Sequence, residues 1–229
     1  MKIGIIVASH SEEEPFYEVF GKSDAFNCPA NETKFNWIPM WEISFNKKIY
    51  LMRSGVGEIL AAISTQFMID NFGVDRIINY GVVGGLSEKQ SAEKIGIVEK
   101  VVHYDYDISL CEGYVVGQYK GHDSPFIKPE QDAVSSNYTQ GLDRLICASA
   151  DKVVGAGEPK RNLRREFGAD ICDMESAGIV ITCNQNGIPC TLIKAVSDGV
   201  DEDEEAFRKY VHSASKKCVE YVAEFIRQL

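Results

Sequence analysis

The stretch Lys2-Ile3-Gly4-Ile5-Ile6-Val7 begins the chain with an almost wholly apolar run rich in β-branched side chains. Such a run, ended by the polar turn Ser9-His10-Ser11, is typical of a strand buried on both faces of a sheet. The pattern recurs further along the chain, in residues 48–52, 76–80, 95–102 and 191–196. The sequence therefore predicts a sheet of short buried strands.

Helical segments lie between these strands. Residues 58–72 carry Ile59, Ile63, Phe67 and Ile69 in a stripe that is typical of a helix. Further helices are predicted over residues 177–186 and 206–229. Strands that alternate with helices indicate the α/β class, here a three-layer α/β/α domain with a central mixed, largely parallel twisted sheet. Because no repeat or low-complexity linker divides the chain, we expect residues 1–229 to form a single domain.

Composition and charge narrow the possible functions. The net charge of −10 argues against nucleic acid, whose phosphates require lysine and arginine. No apolar run approaches the length of a membrane span, and the glutamates after the first strand end it too early for a signal peptide. We therefore expect a cytoplasmic protein with no membrane partner. The cysteines, which show no Cys-x-x-Cys spacing and are expected to be reduced, are Cys28, Cys111, Cys147, Cys172, Cys183, Cys190 and Cys218.

Two glycine-rich segments follow predicted strands. Ser54-Gly55-Val56-Gly57 lies between a strand and a helix, where backbone N–H groups can hold an anion or a ribose oxygen. Gly81-Val82-Val83-Gly84-Gly85 is predicted to be a turn at the end of the next strand, where open α/β sheets bind ligands. Both patterns are equally consistent with tight structural turns. Neither matches the dinucleotide-binding fingerprint.

Two carboxylates stand at the edges of regular elements. Glu175 follows Cys172-Asp173-Met174 and is predicted to open a helix, whereas Asp198 comes just after the apolar run 190–196. One carboxylate at a helix start and another at a strand end can converge on a single ligand. The pair suits the binding of a sugar hydroxyl together with a proton transfer, as at a glycosidic bond.

Other polar segments leave alternatives open. The glutamates at 12–14 either provide favourable charge at a helix start or supply one side chain that orients a water. Residues 104–141 are predicted to form a long irregular excursion, which serves as a substrate lid, a partner contact or a solvent-exposed loop. His103, Asp105 and Asp107 offer only one histidine, so we expect no metal site there.

Taken together, these motifs resemble the nucleoside phosphorylase/nucleosidase superfamily, and within it the branch of 5′-methylthioadenosine/S-adenosylhomocysteine nucleosidases. The resemblance extends over nearly the whole chain, and its most specific part is the Met-Glu and Ser-Asp pair. The motifs that carry it in family order are residues 1–8, 54–57, 77–81 with 84–86, 174–175 and 196–198.

The resemblance implies roles for individual residues. Glu175 would bind the ribose hydroxyls, with Met174 packed on the sugar. Asp198, supported by Ser197, would donate a proton to N7 of the purine and make the base a better leaving group. Glu12 would position the attacking water, with Glu13 and Glu14 as alternatives. The implied substrate contacts also include Ser54, Gly55, Gly81, Val82, Val153 and Val154.

The resemblance also favours water over phosphate as the nucleophile. Superfamily phosphorylases carry an arginine and a hydroxyl residue where this chain has Asn79 and Val82, although Arg53 remains a possible phosphate contact. The expected reaction is hydrolytic cleavage of the N-glycosidic bond of a purine nucleoside of the 5′-methylthioadenosine/S-adenosylhomocysteine type, in methionine salvage or nucleoside catabolism. The alternatives are a phosphate-dependent phosphorylase and a catalytically weak nucleoside-binding protein.

Three departures from the family pattern bear on the substrate. Val82 replaces a serine near the nucleophile, Val153 and Val154 stand where an aromatic residue usually stacks on the base, and Ser9-His10-Ser11 replaces a stretch of methionine and acidic residues. The resemblance implies a homodimer in which residues 104–118 of the partner close the 5′ side of the pocket. It implies no cofactor and no metal.

Overall fold

A computed structural model of the chain describes residues 1–21, 31–35, 38–44 and 47–229. Its strands are β1 (Lys2–Val7), β2 (Asn31–Phe35), β3 (Ile38–Ser44), β4 (Lys48–Arg53), β5 (Arg76–Gly85), β6 (Ile95–His103), β7 (Phe126–Ile127), β8 (Asp143–Ser149), β9 (Ile171–Asp173) and β10 (Cys190–Asp198). Its helices are α1 (His10–Phe20), α2 (Glu58–Phe72), α3 (Ala133–Tyr138), α4 (Glu158–Phe167), α5 (Ser176–Asn186) and α6 (Glu204–Gln228).

The strands form one mixed sheet in the order β10-β6-β8-β9-β5-β1-β4-β3-β2. The central strands β1, β4, β5 and β10 are joined by parallel pairs, while β6 and β9 run antiparallel to β10 and β5. Because β10 pairs with both β5 and β6, one end of the sheet closes on itself. The carboxyl ends of β1, β5 and β10 therefore meet at one edge of the sheet.

Helices cover both faces of this sheet. On one face α1 and α6 pack over a core that includes Ile5, Leu51 and Ile193. On the other face α2 and α5 pack over a second core around Ile6, Ile77 and Leu192. Adjacent residues of one strand thus enter opposite cores, which explains why the strands are apolar throughout. The predicted three-layer α/β/α architecture with a mixed sheet is confirmed.

The glycine segment 81–85 does not form the predicted turn. It continues β5, with Gly81 opposite Lys194 of β10 and Gly84 opposite Cys172 of β9. The glycines are required by close approach, since a Cβ on Gly81 would lie 2.3 Å from Oε1 of Glu12 and one on Gly84 3.0 Å from Sγ of Cys172. Glycine here lets a carboxylate and a neighbouring strand lie directly against the backbone.

Two other predictions change in detail. Residues 9–11 are not a free turn, because Ser9 caps α1 and His10 begins that helix. The helix α2 has the predicted bounds, but only half of its predicted apolar stripe is covered: Phe67 and Ile69 pack against the core, whereas Ile59 and Ile63 are 68% and 51% exposed. The fully buried positions of the helix include Ala61, Ser64 and Met68. Cys28 lies outside the described residues, and within them no helix has the length and apolar character of a membrane span.

Candidate active site

A cavity of about 580 Å³ opens where the carboxyl ends of β1, β5 and β10 meet the start of α5. The predicted site residues that line it are Glu12, Val82, Val153, Val154, Met174, Glu175, Ser197 and Asp198. The fold therefore brings residues that are far apart in the sequence to one cavity. The two carboxylates at element edges, Glu175 and Asp198, do converge on the same cavity.

Glu12 lies in the first turn of α1, and its carboxylate is held from several sides. Oε2 accepts hydrogen bonds from the backbone N–H groups of Ala8 and Ser9 at 3.0 and 2.9 Å and from the Ser9 hydroxyl at 3.1 Å. Oε1 accepts from the N–H of Val82 at 2.9 Å. These donors fix the side chain in one orientation. By contrast, Glu13 is buried against Tyr17, and Glu14 is exposed on the helix surface.

Glu175 stands at the N-terminus of α5, where its Oε1 accepts a hydrogen bond of 3.0 Å from the N–H of Gly57. Gly57 belongs to the turn between β4 and α2 and has a φ of 113°, which favours glycine. Burial, and next the nearby Asp173 carboxylate, raise the pKa of Glu175 to about 8. A largely protonated carboxyl group can both donate to and accept from a sugar hydroxyl.

An ion pair lies beneath Glu175. Lys194 of β10 and Asp173 of β9 are both buried, and Nζ lies 2.8 Å from Oδ2. Burial alone would raise the pKa of Asp173, but Lys194 and the neighbouring hydroxyls hold that pKa below its usual value. Asp173 also accepts from the hydroxyls of Ser149 and Ser176, so the start of α5 is tied to β8 and β10.

Asp198 ends β10 and is held by two neighbours. Its Oδ1 lies 2.6 Å from the hydroxyl of Ser197, which is also 3.2 Å from the carbonyl oxygen of Val83. A hydroxyl has one hydrogen, so Ser197 can donate to an ionised Asp198 or can donate to Val83 and accept from a protonated Asp198. Oδ2 of Asp198 lies 2.5 Å from Nζ of Lys160. Ser197 is thus compatible with both states of a proton donor.

The opposite wall consists of residues 152–156 and the start of α6. Val153 is 80% exposed there, and Val154 contacts a small core beside β8. Asp151, directly before this wall, accepts from the N–H of Glu58 at 2.7 Å and so caps α2. Phe207 lies at the edge of the cavity. No described residue of the 152–156 segment supplies an aromatic ring.

Three predicted contacts do not line the cavity. Ser54 and Gly55 hold the turn after β4 through hydrogen bonds to the carbonyl oxygens of Val7 and Ala8, and Gly81 lies behind Glu12. The turn still contributes Val56 to the wall and the N–H of Gly57 to Glu175. The reason is geometric: the turn directs Val56 and Gly57, and not Ser54 and Gly55, towards the cavity.

Three buried charged residues behind the cavity wall were not predicted from the sequence. Lys160, Lys194 and Glu58 are all buried and contact site carboxylates or the helix that presents them. For Lys194 a signal existed, because a lysine inside the apolar strand 190–196 requires a buried partner. For Lys160 no such signal existed, because most residues of α4 are charged and nothing in the sequence sets this buried lysine apart.

The segment after β6 is held by aromatic stacking and by side-chain hydrogen bonds. His103 lies between the hydroxyl of Tyr119, at 2.6 Å, and the carboxylate of Asp105, at 2.9 Å. Tyr106 stacks on Tyr119 with ring centroids 4.0 Å apart. These contacts fold residues 104–119 back onto β6. Within the described part of the chain, no three histidine, cysteine or acidic side chains are grouped as metal ligands would be.

Known proteins share this architecture. The family model of the phosphorylase superfamily matches residues 2–228. The 5′-methylthioadenosine/S-adenosylhomocysteine nucleosidase of Shewanella halifaxensis is 28% identical over the full length of both chains. The aminodeoxyfutalosine nucleosidase of Helicobacter pylori strain J99 is 27% identical, over 94% of this chain and 95% of its own.

Solved structures agree with this assignment. The 5′-methylthioadenosine/S-adenosylhomocysteine nucleosidase of Helicobacter pylori, crystallised with butyl-thio-DADMe-Immucillin-A, has a TM-score of 0.89 and 25% identity and covers 100% of this chain and 99% of its own. The resemblance inferred from the sequence is confirmed, as is the nucleosidase class of the relatives. The chain belongs to the phosphorylase superfamily.

Proposed function

We propose that this protein is an N-glycosyl hydrolase that releases the base from a purine nucleoside. The observation that carries the proposal is the convergence of Glu12, Glu175 and Asp198 on one cavity from three separate elements. Each has a different environment, so each suits a different task. This is the division of labour that cleavage of a glycosidic bond needs.

In this reaction Asp198 gives its proton to N7 of the purine, and the electron pair of the C1′–N9 bond moves onto the base. Water adds to C1′ and passes its proton to Glu12. Glu175 holds the ribose hydroxyls. Leaving-group protonation of this kind contributes roughly 10²–10⁴-fold to the rate. The products are the free base and a ribose derivative, and protons exchange with solvent to restore the two carboxyl groups.

The charge of the cavity favours water as the nucleophile. Among the described residues, seven carboxyl groups line it, against the single ammonium group of Lys152. Even with Glu175 and Asp198 protonated, the remaining carboxylates outnumber that one cation, and the excess of negative charge would repel phosphate. Arg53, the alternative phosphate contact, pairs with Glu13 at 2.7 Å. The side chain of Val82 is apolar, and its N–H is already bonded to Glu12.

The substrate class is proposed by analogy with the relatives. We propose a 5′-thio-substituted adenosine, as in the names of most of the relatives above. Such a substrate places this protein in methionine salvage or nucleoside catabolism. Phe207 and Val56 supply apolar surface at the cavity edge for a substituent of this kind.

A panel of purine nucleosides, assayed with and without phosphate, tests the proposal. We expect release of free adenine from 5′-methylthioadenosine at a rate that phosphate does not change, together with a ribose product that carries no phosphate. A requirement for phosphate would identify a phosphorylase instead. Tight binding without base release from any nucleoside would identify a nucleoside-binding protein.

We further propose that the protein is a homodimer. The exposed apolar residues Ile59 and Ile63 of α2, with Val56 before them, form a strip beside the cavity that water alone would solvate poorly. Leu110 and Val115 of the segment after β6 are also exposed and apolar. Sedimentation equilibrium should give twice the chain mass of 25.5 kDa, and Ile63→Glu should lower it. A monomer mass at micromolar concentration would exclude the dimer.

A further inference from the structure

Lys160 occupies an unusual position in the first turn of α4. The residue is 1% exposed, although the helix around it is strongly charged and faces solvent. Its Nζ lies 2.5 Å from Oδ2 of Asp198 and 2.6 Å from the carbonyl oxygen of Gly199. The ammonium group therefore directs its hydrogen bonds to the residue proposed as proton donor and to the residue after it.

This placement is unfavourable without its partner. A cation at the start of a helix opposes the helix dipole, and burial removes the water that would solvate it. The Asp198 carboxylate offsets both costs. The rest of α4 needs no such residue to hold the adjoining loop, because the N–H of Gly157 donates to the carbonyl oxygen of Val200 and Arg161 forms a two-bond ion pair with Asp201.

Lys160 is not part of the cavity wall, so it acts through Asp198 and not on the ligand. We propose that Lys160 is a positioning residue for leaving-group protonation, which orients Asp198 towards the base and stabilises the carboxylate that remains after proton transfer. The inference rests on the proposed function. The proton moves from the Asp198 carboxyl group to N7 of the purine, and the resulting negative charge on Asp198 is neutralised by the ammonium group already beside it.

A consequence is that Lys160 affects one stage of the reaction. The ammonium group lies beside the carboxylate that remains after the proton has left, so its contribution is larger in the transition state than when the nucleoside first binds. Loss of the ammonium group should therefore lower kcat and leave KM largely unchanged.

Other charged groups near Asp198 have partners of their own or stay neutral. Burial raises the pKa of the Cys172 thiol to about 12, so it carries no charge at neutral pH. Glu202 accepts a hydrogen bond from the N–H of Gly199 at 2.6 Å, and Arg161 and Asp201 neutralise each other at the surface. Lys160 is thus the cation in direct contact with Asp198 among the described residues.

The test is the kcat and KM of Lys160→Met, with Arg161→Gln as the matched control on the same helix. We expect Lys160→Met to lower kcat about 10–100-fold and to leave KM within about twofold, because the interaction is made chiefly in the transition state. Arg161→Gln, which removes a contact to the same loop without touching Asp198, should keep the kcat and KM of the unsubstituted protein. Lys160→Arg should restore most of the lost kcat, because it retains the positive charge and the hydrogen-bond donors.

A Lys160→Met variant that keeps the unsubstituted kcat would overturn the inference. A variant whose KM rises in step with the fall in kcat would show a merely structural role and overturn it equally. If Lys160→Met melts below the assay temperature, Lys160→Gln, which keeps a hydrogen-bond donor without the charge, carries the test with the same expected fall in kcat. Absence of base release by the unsubstituted protein would instead refute the proposed function.

Discussion

The cavity has two walls, which we propose face the ribose and the base of the substrate and which we call the ribose side and the base side, and they are built in different ways. On the ribose side, Glu12 and Glu175 are each held by backbone N–H groups from another segment of the chain. On the base side, the wall is the loop 152–156, in which Lys152 and Val153 are exposed. One side is fixed by the sheet and helix starts, and the other by a loop that follows β8.

This difference suggests that the two walls have different tasks, one in the reaction and the other in recognition of the base. Backbone donors can position a carboxylate whatever the neighbouring side chains are, so the two carboxylates on the ribose side depend little on side-chain identity. A loop wall depends on its own side chains, and here it lacks an aromatic ring. We therefore expect substitutions on the ribose side to change the rate of the reaction and substitutions in the loop to change binding of the base. The variants below test each half of this comparison.

The largest effect is expected for Glu12→Gln, on the ribose side. The amide cannot accept a proton from water, and its NH₂ group would face donors at Ala8, Ser9 or Val82. We expect kcat for base release to fall about 10²–10⁴-fold with binding retained. Steady-state kinetics and calorimetric titration of a nucleoside would measure both.

Glu14→Gln is the matched control, since Glu14 is exposed on the same helix turn. It should retain kcat within about twofold, as surface substitutions usually do. The sequence alone does not distinguish the three glutamates at 12–14. If Glu13→Gln were inactive and Glu12→Gln active, the water-positioning role would pass to Glu13.

The second-largest effect is expected on the free energy of unfolding and comes from Glu58, a buried residue behind the ribose side. Burial, and next the Asp173 carboxylate, raise the pKa of Glu58 from 4.5 to about 7. Because the folded state binds this proton more tightly than the unfolded state, the stability from neutral Glu58 is complete below pH 4.5 and is lost as pH rises through 7. Glu58→Gln keeps an oxygen acceptor for the N–H of Gly178 and removes the titration.

Urea unfolding at pH 5 and pH 8 would measure this effect. We expect the unsubstituted protein to lose about 1–3 kcal/mol more stability than Glu58→Gln over that interval. Glu220→Gln, at an exposed position of α6, should follow the unsubstituted protein. An equal pH dependence in all three proteins would mean that Glu58 is already ionised at pH 5.

The fold was largely predictable because its strands are short, apolar and separated by helices. The strand from Arg76 and the helix 58–72 could be located from composition alone. The continuation of β5 through Gly81–Gly85 could not, because glycine signals a turn unless a close neighbour is known. That neighbour, the Glu12 carboxylate, is 69 residues away in sequence from Gly81.

Of the candidate site, only residues that face the cavity could be predicted. Met174-Glu175 and Ser197-Asp198 are local motifs, whereas Lys160 and Glu58 act through contacts that only the folded chain creates. The apolar stripe of α2 could be located from the sequence, but its covering could not. Helical periodicity identifies an apolar face and not what covers it, and here Phe67 and Ile69 pack against the core while Ile59 and Ile63 face outwards.

The smallest effect is expected on the base side, for Val153→Phe. An aromatic ring at this exposed position of the cavity wall can stack on a bound purine, and aromatic pairs contribute about 0.5–1.5 kcal/mol beyond burial. That gain corresponds to a KM lower by roughly 2–10-fold with kcat unchanged, since stacking stabilises substrate and transition state alike.

Initial-rate kinetics on the preferred nucleoside would measure this change in KM, with Val153→Leu as the control for added apolar volume. If Leu and Phe lowered KM equally, burial and not stacking would limit base binding. A fall in kcat would mean that the loop is as finely positioned as the ribose side, and the contrast between the two walls would not hold.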